Sequence, residues 1–214
     1  LLLVEFFLVQ NFLDLYTGDD DFIKSDENSI PISLLENDNK FSLIVGAEKS
    51  GKTSLAKSYS KLNQAELIFD ISPNTNNHNK TYLDLNHLNL IDENFFHFLQ
   101  YFISQDIGLT IFTSTDPLKV NENQVFLPDI TSRLKSFNVA RIENPQDDLF
   151  FKLLQKFLKN MSITIPDQLI LETMKFIDRS YIDAFNASKT INHLLYENNH
   201  NINLSLIRQH YEQI

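Results

Sequence analysis

Phe41-Ser-Leu-Ile-Val45-Gly46-Ala47-Glu48-Lys49-Ser50-Gly51-Lys52-Thr53-Ser54 is the stretch on which the fold of this chain turns. A short apolar run enters a glycine turn with the spacing G-x-x-x-x-G-K-[ST], and Leu55, Ala56 and Tyr59 then recur at helical intervals. The stretch therefore predicts a strand, a phosphate-binding loop and a helix, in that order. Each residue type has a reason. Glycine accepts the dihedrals that let consecutive N–H groups wrap a phosphate, and the helix N-terminus adds the positive end of its dipole. Lys52, on a solvent-facing loop, supplies a point charge for the β- and γ-phosphates, and the Thr53 hydroxyl supplies a ligand for Mg²⁺. Residues 46–54 are thus the expected site for a nucleotide with Mg²⁺. The chain has 4 glycines in all, so two of them at this spacing are not decoration.

Outward from the loop, apolar runs recur at residues 66–71, 82–85, 109–113 and 137–142. Residues 92–105 place Phe95, Phe96, Phe98, Leu99 and Phe102 at helical spacing, the pattern of a buried face covering a sheet. Strand and helix in alternation predict an α/β fold with a mostly parallel sheet. Residues 16–40 are polar around an apolar island at 30–35 and read as a connection around a short helix. After Pro145 the texture changes to helices alone: 147–160 with apolar pairs every four residues, a second from Pro166, a third over 181–196 and a fourth over 203–211. The expected organisation is an N-terminal segment to residue 24, a nucleotide-binding domain over 25–143 and a small helical lid domain over 144–214.

Composition narrows the partners. The 214 residues are 43% hydrophobic and 12% aromatic, enough for a substantial core. A formal charge of -10 offers no general attraction to phosphate backbones or anionic membranes, and no basic cluster supplies a local one. Direct sequence-specific nucleic-acid binding is therefore not expected. With no Cys, thiolate metal sites and thiol nucleophiles are excluded, which suits a reducing cytoplasm. The apolar residues 1–9 are interrupted by Glu5 and too short to span a bilayer, so no membrane role is expected. The six histidines show no metal-ligand spacing.

A nucleotide hydrolase also needs an acidic strand end beside the loop, with an Asp for the Mg²⁺ shell and commonly a Glu to polarise water. Here Tyr82-Leu-Asp84-Leu-Asn86 offers Asp84 for Mg²⁺, with Leu85 where the Glu belongs. Asp84 reads equally as a metal carboxylate or as a capping residue, and fast hydrolysis is not expected.

The order of phosphate loop, weak acidic strand end, Thr113-Ser-Thr-Asp-Pro117, Leu127-Pro-Asp-Ile-Thr-Ser-Arg133-Leu134 and helical lid resembles the AAA+ module of the DnaA-related family, nearest to its Hda-type regulators. The resemblance runs from about residue 20 to the end and is most specific at 127–134. It implies that Arg133 is an arginine finger facing the nucleotide of a neighbouring AAA+ subunit, and that Thr113 and Ser114 hold the first-sensor position. Hydroxyls also end strands without any such role, and the alternative for Arg133 is a surface salt bridge or helix cap. The resemblance also implies that the nucleotide on the loop is ADP or ATP. The family's second-sensor Arg has no match inside the third lid helix, since Arg179 lies earlier, at its entrance. Gln10-Asn-Phe-Leu13-Asp14-Leu15 resembles the family's clamp-binding peptide, with Gln10, Leu13 and Leu15 as anchors and Asn11 where a Leu is usual. The alternative is a short element packing Phe12, Leu13 and Leu15 on the domain.

What the resemblance implies is a regulator that, with the DNA polymerase sliding clamp, promotes hydrolysis of ATP on the DnaA initiator, with self-association as a further expectation. The competing readings are a stand-alone P-loop ATPase or small kinase, and a DnaA-paralogous adaptor or loader.

Overall fold

A computed structural model describes residues 22–37, 39–71, 78–88, 92–117, 119, 128–199 and 201–212. They form two compact units, divided between Glu143 and Asn144.

The first unit is an α/β sandwich. Its elements are α1 (Asp26–Glu36), β1 (Phe41–Gly46), α2 (Lys52–Leu62), β2 (Glu66–Ile68), β3 (Thr81–Asp84), α3 (Glu93–Ser104), β4 (Leu109–Thr113), α4 (Pro128–Leu134) and β5 (Asn138–Ile142). The sheet runs β2-β3-β4-β1-β5, and every pairing in it is parallel. Parallel neighbours need crossovers, which is why helices alternate with strands along the chain. Side chains alternate across each strand. Leu43, Leu83, Leu109 and Ile111 point to the face covered by α3 and α4, where they meet Phe95, Phe98, Leu99, Phe102, Ile130 and Leu134. On the other face the Tyr82 and Phe112 rings meet at a tilt of 46° with centroids 5.7 Å apart, and Asn63 at the end of α2 donates to the Tyr82 hydroxyl at 2.7 Å. α1 packs beside β5, tied by Glu143 N–H donating to the Glu27 carbonyl at 3.0 Å.

Two expectations are corrected. The run read as a strand over 66–71 pairs only to Ile68, opposite Leu83, because this is the sheet edge and the following Phe69 and Asp70 are exposed. Phe96 shares the buried face of its helix only in part: Phe95, Phe98, Leu99 and Phe102 are buried, whereas Phe96 is half-buried and packs against the same core.

The second unit holds α5 (Asp147–Asn160), α6 (Asp167–Thr173), α7 (Tyr181–Glu197) and α8 (Leu204–Glu212). The apolar pairs of α5 bury Leu149, Phe150, Leu153 and Leu154 against α7, and Phe157 meets Phe185 edge-on at 5.5 Å. Each fully buried Leu or Phe contributes roughly 1.5–3 kcal/mol. α8 docks on α6 through Ile207 and through Arg208 Nε on Glu172 Oε1 at 2.7 Å. No helix among the described residues is long and apolar enough to cross a membrane.

Candidate functional site

Gly46, Asp84 and Thr113 end three neighbouring strands at the carboxyl edge of the sheet, the edge where open α/β sheets bind ligands. The loop leaving β1 has the shape its sequence predicts. Gly51 takes φ 89 as the residue before α2, a left-handed conformation that glycine adopts without steric cost, and Lys49 is held at φ 63. A Cβ on Gly46 would lie 2.6 Å from Ser50 Oγ and 3.1 Å from Ile142 Cδ1, so no side chain fits there. Ser50 is buried, and its hydroxyl has no partner among the described residues.

α2 starts unlike the other helices. α1 is closed by Ser25 and Asn28, whose Nδ2 donates to Ser25 Oγ at 2.9 Å; Asp92 and Ser180 cap α3 and α7, and Asn203 caps α8. α4, α5 and α6 carry Asp in their first turns. Among the described helices α2 alone has neither a side-chain cap nor an acid in its first turn, and it opens with Lys52. The first N–H groups of a helix have no partner within it, so this end is arranged to receive an anion.

Lys52 is not solvent-facing, which corrects the sequence expectation: it is 6% exposed, with Nζ donating to the carbonyls of Gly46 at 2.7 Å and Ala47 at 2.8 Å. An ammonium has three donors, so two fasten the loop and one is left for a ligand. Burial pushes the Lys52 pKa down, opposed by the nearby Asp84 and Glu48 carboxylates. Ala47, Glu48, Lys49 and Thr53 are exposed, and Ser54 is half-buried.

Asp84 lies on the α2 face of β3, buried, where its carboxylate accepts a hydrogen bond from the Thr53 hydroxyl. It is not a surface cap. Burial raises its pKa, and the Thr53 hydrogen bond and the Lys52 and Lys57 charges pull it back. A hydroxyl and a carboxylate meeting beside an anion-ready helix start form the hard oxygen donor set that Mg²⁺ takes together with phosphate. Among the described residues no group of three or more His, Asp or Glu gathers elsewhere to hold a metal.

The first-sensor position is close in the sheet but turned away. Thr113 pairs with Val45, yet strand alternation sends its side chain to the face opposite Asp84. The Thr113 hydroxyl is buried and accepts from Thr115 N–H at 3.0 Å, while the Ser114 hydroxyl donates to the Asn86 carbonyl. A residue the sequence reading passed over sits in the same row: Arg141, opposite Val45 on β5, forks onto both oxygens of Asp116 at 2.8 and 3.2 Å. That pair ties the loop after β4 to the far side of β1. The signal was available, since Arg is scarce in this chain.

The four arginines divide unevenly. Arg141 pairs with Asp116 and Arg208 with Glu172. Arg179 pairs with Asp147 and donates to the carbonyls of Met174 and Ile177, so the lid arginine is spent on closing its own unit. Arg133, in the last turn of α4, has no acid partner among the described residues. Its guanidinium lies over the Phe96 ring at 5.0 Å, and its buried Nε is without a hydrogen bond. Gln10, Leu13, Leu15 and Leu127 lie outside the described residues.

No protein-family model and no curated protein matches the sequence. Solved structures do. Domain III of the Thermotoga maritima replication initiation protein DnaA matches at TM-score 0.67 and 15% identity, over 90% of this chain and 94% of that one. A replication initiator DnaA bound to AMPPCP and single-stranded DNA matches at TM-score 0.63 and 16% identity, over 86% and 68%. The Thermotoga maritima RuvB Holliday junction branch migration motor matches at TM-score 0.65 and 16% identity, over 89% and 69%. The chain thus has the α/β fold of the AAA+ domains of DnaA and RuvB.

Proposed function

We propose that this chain binds an adenine nucleotide with Mg²⁺ on residues 46–54, and that it acts as a DnaA-like regulator of replication initiation. The observation that carries the first part is the start of α2, uncapped and free of acid, with Lys52 fastening the loop and Thr53 bonded to Asp84. The similarity to a DnaA that binds AMPPCP supports an adenine nucleotide over other phosphates. Thr53 and Asp84 would hold Mg²⁺, and Lys52 would meet the β- and γ-phosphates. Calorimetric titration with ADP, ATP and GTP, with and without Mg²⁺, tests this; no binding of either adenine nucleotide would overturn it.

The regulatory part rests on Arg133. A half-exposed guanidinium with no acid partner among the described residues suits a role in trans, where it neutralises charge growing on the γ-phosphate of a neighbouring AAA+ subunit such as DnaA. The chain's own hydrolysis is slow in this reading, because Leu85 follows Asp84 and Arg179 is engaged within its unit. Gln10, Leu13 and Leu15 would anchor it to the sliding clamp. The test is the half-life of DnaA-bound ATP on clamp-loaded DNA, with and without this protein. Isolated turnover on the order of 1 s⁻¹ or faster, within the ordinary enzyme range, would make it a stand-alone ATPase instead.

A further inference from the structure

We infer that Phe96 is the positioning residue for Arg133: its ring holds the guanidinium in place before any partner arrives. The inference rests on the reading of Arg133 as a residue acting in trans. The two side chains come from different helices, Phe96 from the first turn of α3 and Arg133 from the last turn of α4. The Arg133 Cζ stands 5.0 Å from the ring centroid, inside the range of a cation–π contact. Phe96 departs from the pattern of its helix. Phe95, Phe98, Leu99 and Phe102 are buried in the core, whereas Phe96 is half-buried, packing against that core with its ring under Arg133 of α4.

Among the described residues the alternative holds on Arg133 are missing. The other three arginines are fixed by carboxylates, which occupy the N–H groups that a phosphate would need. An aromatic face holds the cation through the ring quadrupole and occupies none of them. The buried, unbonded Nε fits this arrangement, because the ring shields one side of the guanidinium while its donors stay unspent. A guanidinium on a free side chain samples many rotamers, and the cost of ordering it would fall on the hydrolytic step, where it must meet the γ-phosphate in one geometry. Phe96 removes that cost beforehand.

Phe96→Leu keeps the apolar bulk and removes the ring. Phe96→Tyr keeps the ring, and at a half-buried position its hydroxyl can reach water. Two measurements separate the outcomes. In ¹H–¹⁵N spectra of the protein alone, the Arg133 Nε–H signal is assigned by its loss in Arg133→Lys. It should be shifted by the ring and slow to exchange in wild type and Phe96→Tyr, and unshifted and fast in Phe96→Leu. In stimulation of DnaA-bound ATP hydrolysis, Phe96→Leu should lower the maximal rate by roughly 10- to 100-fold, the scale of an ångström-level misplacement. Its half-saturating concentration should stay the same, and Phe96→Tyr should restore the rate.

An unmoved Nε–H signal in Phe96→Leu would overturn the inference. So would a wild-type maximal rate in Phe96→Leu where Arg133→Ala has lost stimulation, and this result would leave the role of Arg133 standing. Full stimulation by Arg133→Ala removes that role, and the positioning function of Phe96 falls with it.

Discussion

The Thr53 hydroxyl donates to the buried carboxylate of Asp84, joining the first turn of α2 to the end of β3. The contact opposes the pH response of Asp84 without reversing it. Its folded pKa is raised, chiefly by burial, so the fold favours the neutral acid. That contribution is present below the ordinary carboxylate pKa and is lost as pH rises through the raised folded value. Asp84→Asn should therefore raise the melting temperature of the nucleotide-free protein at pH 7. It should also remove the Mg²⁺-dependent part of ATP affinity. Scanning calorimetry and titration with and without Mg²⁺ read the two effects, and a lower melting temperature would argue against burial as the dominant cause.

Lys52→Ala should weaken ADP and ATP binding by roughly 10- to 150-fold, the worth of one charged hydrogen bond of about 1.5–3 kcal/mol. It also frees the carbonyls of Gly46, which is buried, and of Ala47, which is exposed and can turn to water. Circular dichroism should be unchanged. Wild-type affinity for both nucleotides would move the binding site away from the loop.

The helical unit carries a pH signature of its own. Arg208 and then Lys175 hold the Glu172 carboxyl at about 2, below its ordinary value of 4.5. A depressed folded pKa contributes stability that is full above the ordinary value and fades as pH falls through the folded one. Denaturant midpoints of wild type should fall between pH 4.5 and about 2 more steeply than those of Glu172→Gln. Parallel curves would show that α8 is held by Ile207 and its neighbours alone.

Arg133→Ala should keep ADP affinity yet lose stimulation of DnaA-bound ATP hydrolysis, by roughly 10³- to 10⁵-fold if it acts as fingers in other NTPases do. Arg133→Lys should not rescue it, since an ammonium cannot fork onto two phosphate oxygens. The measurement is the half-life of DnaA-bound ATP on clamp-loaded DNA at equal occupancy of each variant.

Local pattern made much of this legible. The strand of residues 41–46 and the helix after it follow from apolar spacing and from where glycine stands, and α5 keeps the bounds its apolar pairs predict. The edge strand read too long, because Phe69 and Ile71 look the same in sequence whether or not a neighbouring strand reaches them. Contacts made at a distance along the chain stayed hidden. Nothing near Phe96 announces Arg133, and nothing near Asp116 announces Arg141, so the first was read as core and the second was passed over. Asp84 was ambiguous for the same reason until Thr53 was found beside it.

The bare first turn of α2 reaches beyond affinity. A ligand at a hundred times its dissociation constant adds about 2.7 kcal/mol to a fold, more than the ~1 kcal/mol of a typical N-cap. If nucleotide supplies what Asp or Ser supplies to the neighbouring helices, the empty chain is the form that opens most readily to proteases. The amount of this protein in a cell would then follow the sum of its ADP and ATP, even at a constant rate of synthesis.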